Sequence, residues 1–390
     1  MLKLIKNGEV YAPNYLGVRD ILIADDKIAF IEEQINTPTS FVPIEVIDAS
    51  GQLIVPGFID SHVHIIGGGG EGGFKTRTPE IMLSDITMSG VTTLVGVLGT
   101  DGTTRTMESL LAKARALDEE GVTCYIHTGS YQVPVKTLTS RIEDDLILID
   151  NIIGVGEIAI SDHRSSQPTF EEMVKIATAA RNGGILSGKA GLIEIHVGDG
   201  DEKLSLLEEI IEKTEIPARH FHPTHINRNK ELFAAGITYA KKGGYVDLTT
   251  STIPQFLEEG EVKCSTGLRL MLENDIPISS ITFSSDGQAS LPYFDEMGEF
   301  KGLKVGKTDS LFREVRDAVL NEKIPLEQAI TVITSNPAQV LKLSQKGNIQ
   351  KGKDADLVIL DKETLTIQTV IAKGQLMVTE GSPLVKGTFE

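Results

Sequence analysis

The sequence predicts an α/β protein: a (β/α)8 TIM-like barrel with a small β-sandwich domain built from both chain ends. Three observations carry this expectation. Strand-like runs alternate with helix-like segments through the middle of the chain, and eight such strands are the number that closes a barrel. Both ends share a different texture, short β-rich runs between turn residues. No Gly-x-Gly-x-x-Gly opens a helix after a strand, which disfavours a doubly wound open sheet.

The elements follow in order. Residues 1–57 offer runs beginning at Asp20, Lys27, Glu45 and Gln52, punctuated by Asn7-Gly8, Asp25-Asp26 and Ser50-Gly51. Residues 340–390 repeat that texture from Ala355, Thr366 and Gln375, so the two ends are expected to form one domain around an inserted barrel of residues 58–339. Two separate β units are the alternative. The barrel strands are read from Gly57, Val91, Val122, Ile152, Leu192, His220, Tyr245 and Ile281. Helices are expected over Met107–Glu119, Glu171–Arg181, Leu204–Lys213 and Lys230–Lys241. Gly90, Gly121, Gly183 and Gly243 are read as helix stops, where a left-handed residue is wanted.

Composition bounds the function. The 390 residues carry Lys plus Arg 37 against Asp plus Glu 55, a formal charge of −18, which argues against nucleic acid or an anionic membrane surface as the partner. Two cysteines, Cys124 and Cys264, suit a reducing compartment, and no apolar run approaches the ~18–20 residues that span a bilayer. Without an apolar leader after Met1, a cytoplasmic location is the expectation.

In a barrel, chemistry sits where the strands end. Four of the eight histidines fall there: His62, His64, His196 and His225, with Glu157 and Asp286 beside them. His62 and His64 are two apart, so a strand points both to one face. Imidazoles and carboxylates are the ligands of Zn2+ and similar ions. Six donors exceed one tetrahedral ion, so two divalent ions, Zn2+ first, bridged by a carboxylate are expected.

These residues carry a resemblance. Pro56-Gly-Phe-Ile-Asp-Ser-His-Val-His64 looks like the first-strand motif of the amidohydrolase superfamily, and Gly352-Lys-Asp-Ala-Asp-Leu-Val-Ile-Leu360 resembles a return strand of its accessory sandwich. More narrowly, the chain is similar throughout to the bacterial isoaspartyl dipeptidases (β-aspartyl peptidases). The similarity lies in Gly67-Gly-Gly-Gly-Glu71, Gly96–Asp101, Ser161-Asp-His-Arg164, Pro223–Asn229 and Ser284-Ser-Asp-Gly287.

The resemblance implies His62, His64 and Asp286 on one ion, His196 and His225 on the other, and a bridge from the fourth strand. That bridge is a carboxylated lysine in the best-known form of the family; here Glu157 stands in its place. It further implies hydrolysis of the β-aspartyl peptide bond in dipeptides by a metal-bridged hydroxide, with Asp286 moving the proton and Tyr131 hydrogen-bonding the oxyanion. Glu71 would take the α-ammonium, and Gly69, Thr100, Arg164, Arg228 and Ser290 would contact the rest of the substrate. A homo-oligomer is implied as well. For Tyr131 the alternative is a packing residue, and for the arginines an ordinary surface. A cyclic-amide hydrolase of the dihydroorotase or hydantoinase type is the competing activity, and a metal-free scaffold is the competing class.

The remaining polar residues are read as bystanders. His222 lies three before His225, a spacing that points to opposite faces of a strand, so a helix-facing or supporting role is expected. His127 and His220 read as structural, and His163 as packing or ligand-orienting. Glu258-Glu259-Gly260-Glu261 reads as a solvated turn.

Overall fold

The computed structural model describes residues 2–37, 42–295 and 297–390. The chain opens with β1 (Leu2–Tyr11), β2 (Tyr15–Ala24), β3 (Lys27–Glu32), β4 (Ile44–Asp48) and β5 (Gln52–Pro56). On β2, Ile21 and Ile23 alternate inward, the period of a half-buried strand.

The next eight strands behave differently. They are β6 (Phe58–Val63), β7 (Val91–Gly96), β8 (Thr123–Thr128), β9 (Ile152–Ile160), β10 (Leu192–Val197), β11 (Phe221–Thr224), β12 (Val246–Thr249) and β13 (Ile281–Ser284). Nearly every residue in them is buried, because helices cover the outside and side chains fill the inside. β6 to β11 pair in parallel and in sequence, and β12 pairs β13. Ile226 N–H donates to Asp247 at 3.2 Å between β11 and β12, and His64 N–H donates to Gly287 at 2.9 Å beside the Val63–Gly287 bridge. The curled sheet thereby closes as a TIM-like barrel.

Local chemistry sets the helices. Thr106 caps the helix Met107–Glu119, and Thr169 with Glu172 forms a capping box on Phe170–Ser187. Gly183 corrects the sequence reading. It lies inside that second helix, which runs on to a left-handed Gly188 with φ 73°. A Cβ on Gly183 would stand 2.8 Å from Leu146, and one on Gly184 2.6 Å from the Cα of Gly191. The glycine pair permits close packing rather than ending a helix.

After the barrel strands, β14 (Ser290–Phe294) and β15 (Phe300–Val305) form an antiparallel hairpin at the mouth. The chain ends in β16 (Leu357–Asp361), β17 (Ile367–Ala372), β18 (Gln375–Thr379) and β19 (Ser382–Pro383). β16 pairs β5, so one nine-stranded sheet takes strands from both ends. A bridge between Lys27 and Asp354 brings β3 back toward β16, curling the sheet over a core that includes Ile5, Ile23, Ile54 and Leu357. Among the described residues, no helix is long and apolar enough to cross a membrane.

Candidate metal centre and active site

Six side chains converge at the C-terminal ends of the barrel strands. His62 is on β6 and His64 just past it, Glu157 on β9, His196 on β10, His225 after β11 and Asp286 after β13. His225 and Asp286 have left-handed backbones, φ 63° and 53°, that swing their side chains in from the strand ends.

Their facing atoms are close, and hydrogen bonding leaves several of them unpaired. His62 Nε2 stands 3.6 Å from Glu157 Oε1 and 3.6 Å from Asp286 Oδ1. His64 Nε2 lies 3.1 Å from Asp286 Oδ1, and His196 Nδ1 lies 3.1 Å from Glu157 Oε2. His225 Nε2 is 4.0 Å from the same Glu157 oxygen. Among the described residues, His62 Nε2, Glu157 Oε1 and Asp286 Oδ1 are buried atoms with no hydrogen-bond partner. Buried polar atoms rarely stay unsatisfied. A set of imidazole nitrogens and carboxylate oxygens turned on one another fits divalent cations. Two triads draw their ligand atoms within 4.8 Å, His62–His64–Asp286 and His62–Glu157–His225, and Glu157 reaches both groups.

The remote side of three imidazoles is held. His62 Nδ1 faces Glu194 Oε1 at 3.0 Å, His196 Nε2 faces Asp162 Oδ2 at 3.1 Å, and His225 Nδ1 faces Thr249 Oγ1 at 2.6 Å. Such partners fix the tautomer and the ring orientation of a ligand histidine.

Charge in the cluster is cooperative. Burial pushes the Glu157 carboxyl up, but the charge on His62 and a hydrogen bond from His196 outweigh it and hold the group well below the carboxylate range. Burial opposes ionisation of Asp286 too, and His64 beside it keeps it ionised. Burial, then the charge of Glu157, raises the Tyr131 phenol well above its ordinary value, so it stays protonated. Its hydroxyl lies 2.8 Å from His196 Nδ1.

Above the cluster opens a cavity of about 890 Å3. Glu71, Thr100, Arg164, Arg228 and Ser290 line it, with Gly69 at its edge. Thr100 Oγ1 donates to Glu71 at 2.9 Å, and Arg164 Nη1 is 3.5 Å from the same carboxylate. Arg228 Nε is buried without a partner among the described residues. The glycine run is braced by Arg105, 4% exposed, which donates to the carbonyls of Ile66, Gly68, Gly69 and Thr78. A Cβ at Gly69, φ 64°, would meet Ser290 Cβ at 2.9 Å, so glycine lets these two wall segments touch.

Some expectations change here. Of the two roles open to His222 it takes the supporting one, bonding Thr282 Oγ1 at 2.8 Å beneath the site. β11 ends at Thr224 and His225 turns left-handed, so strand alternation does not relate the two histidines. Glu261 is not part of a solvated turn: it lines the cavity, its Oε1 is buried, and burial pushes its carboxyl up to about 7. His163 is exposed, its side chain 84% accessible, and is therefore not a packing residue. His220 bonds the Ala177 carbonyl at 2.9 Å, away from the site. The sequence reading missed Asp162, Glu194 and Thr249. Glu194 had a signal, since it stands two before His196 on one strand face.

Comparison with known proteins fits this arrangement. The amidohydrolase family model matches residues 53–377, and the chain belongs to that family. Within it, the chain is similar to the beta-aspartyl dipeptidase of Fervidobacterium islandicum AW-1, solved in complex with the beta-Asp-Leu dipeptide. The identity is 46%, the TM-score 0.89, and 98% of each chain is covered. Sequence similarity extends to a Staphylococcus epidermidis dihydroorotase, 24% identical over 93% of this chain and 90% of the relative. It also reaches a Bacillus licheniformis allantoinase, 27% identical over 92% and 87%.

Proposed function

We propose that this amidohydrolase cleaves the β-aspartyl peptide bond of dipeptides, using two divalent ions, Zn2+ in the first instance. One observation carries the reading: among the charged side chains that line the cavity, Glu71, Arg164 and Arg228 face the histidine–carboxylate floor across it. A β-aspartyl dipeptide presents the complementary set, one ammonium and two carboxylates. The 46% identical relative, solved with beta-Asp-Leu, supports the same reading.

His62, His64 and Asp286 would hold one ion and His196 and His225 the other, with Glu157 between them. When bound, such ions activate a water near neutral pH and polarise the scissile carbonyl. Glu71 pairs with the α-ammonium, while Arg164 and Arg228 take carboxylates through forked donors. Thr100, Gly69 and Ser290 close the wall around the substrate's polar ends. Asp286, ionised, accepts the proton of the attacking water and passes it to the departing amine nitrogen. Tyr131 keeps its proton and donates a hydrogen bond to the developing oxyanion.

A cyclic-amide reading draws on the dihydroorotase and allantoinase similarity. Glu71 weighs against it, because a cyclic amide offers no α-ammonium. The test is release of leucine from β-Asp-Leu and from its α-linked isomer, with dihydroorotate as a third substrate. Leucine from the β isomer alone is expected. Turnover of dihydroorotate without it would overturn the proposal. Metal analysis should give about two ions per chain, and fewer than one would sink the dinuclear mechanism.

A further inference from the structure

We infer that Asp162 is a positioning residue whose single carboxylate holds both a metal-ligand imidazole and a substrate-binding guanidinium. The inference rests on the dinuclear reading above. Asp162 is 5% exposed and follows Ser161, whose left-handed φ of 51° folds the chain back over β9 and β10. Its Oδ2 accepts from Arg164 Nη2 at 2.7 Å and lies 3.1 Å from His196 Nε2. Its Oδ1 accepts from Arg164 Nε at 3.0 Å and from the Arg164 backbone N–H at 2.7 Å.

The geometry dictates a tautomer. A carboxylate accepts only, and both ring nitrogens of His196 face one at 3.1 Å; with an ion taking the Nδ1 lone pair, the one ring proton lies on Nε2, against Asp162. The Nδ1 lone pair is then aimed toward Glu157, where an ion would sit. The same carboxylate fixes Arg164 as a bidentate fork with its Nη1 toward Glu71. The surrounding turn is built to keep Asp162 in place. A Cβ on Gly198 would come within 2.5 Å of the Asp162 Cβ, and the Ser161 hydroxyl donates to Gly200 at 2.9 Å. One side chain therefore sets the metal floor and the ionic wall in register.

Asp162→Asn separates this role from packing. The amide keeps Oδ1 and the turn it accepts from, but places an N–H2 where Oδ2 faced two donors. His196 is then driven to the opposite tautomer. Equilibrium dialysis against Zn2+ should show one of two ions bound ~10–100-fold more weakly. KM for β-Asp-Leu should rise at least as much as kcat falls, because Arg164 is released. Asp162→Glu, which keeps a carboxylate, should recover most of the ion affinity. A purely structural Asp162 predicts something else: lower melting temperatures, with two tightly held ions and a native KM in each folded variant. That result would overturn the inference, as would a Glu variant no better than Asn.

Should the variants fail to fold, 15N-histidine NMR of the Zn2+-loaded native enzyme decides the matter. The His196 proton is expected on Nε2, and a proton on Nδ1 refutes the assignment. Ion affinity and tautomer are read without substrate, so an enzyme that ignores β-Asp-Leu leaves this test standing.

Discussion

Asp286 has two tasks, ligand and proton carrier, and they come apart on mutation. In Asp286→Asn an oxygen remains for an ion, but no carboxylate remains to accept a proton. Turnover should fall about 10²–10⁴-fold with metal content unchanged, and a loss under tenfold would assign the proton to another group. Tyr131→Phe removes one donor and should lower kcat by about 10²–10³-fold, read in the same assay. Below the site, burial pushes the Asp247 carboxyl up to about 7, although Ser284, Thr282 and Thr224 donate to it. Its folded value exceeds its unfolded value of about 3.9, so its contribution is full below about pH 4 and is lost as pH rises through 7. Melting curves from pH 4 to 8 should show the native protein losing on the order of 4 kcal/mol that Asp247→Asn does not lose. At this scale the sequence was readable wherever alternation applied, as for His62 and His64. Asp162 was not readable in this way, because its contact with His196 arises from a left-handed turn and not from a period.

Element boundaries repeat the lesson in another form. The helix Met107–Glu119 matches its expected limits because Thr106 caps it and a left-handed Gly121 follows it. The helix Phe170–Ser187 outran its expected end because Gly183 was read for backbone freedom, when its use, like that of Gly184, is small size. A methyl at Gly184 would meet the Gly191 backbone, which cannot rotate away. Gly184→Ala should therefore cost about 1–3 kcal/mol in urea unfolding, where an ordinary helix position would gain stability. The hairpin of β14 and β15 had no place in the sequence reading. It brings Leu291, Phe300 and Leu303 to the cavity, and only its antiparallel register reveals that.

Taken whole, the molecule ties its C-terminal segment to the start of β8 in the barrel through one buried cation. Lys346, 4% exposed, donates to Thr123 at 2.7 Å and to Asp356 at 2.7 Å, and pairs with Asp354 at 2.8 Å. Lys346→Met would strand those carboxylates, and guanidinium unfolding should show a loss of about 3–5 kcal/mol. The charge of −18 says nothing of the site, where buried imidazoles and two arginines meet the carboxylates. Pairing β5 with β16 also has a consequence in time. β5 ends at Pro56 and β16 begins at Leu357, so the edge of β5 waits 357 − 56 = 301 residues for its neighbour. At ribosomal speeds of ~5–20 residues per second that wait is roughly 15–60 s. Throughout it, a nascent chain carries an open strand edge able to recruit the wrong partner. Synthesis rate and chaperone cover therefore bear on the yield of this protein more than its finished fold suggests.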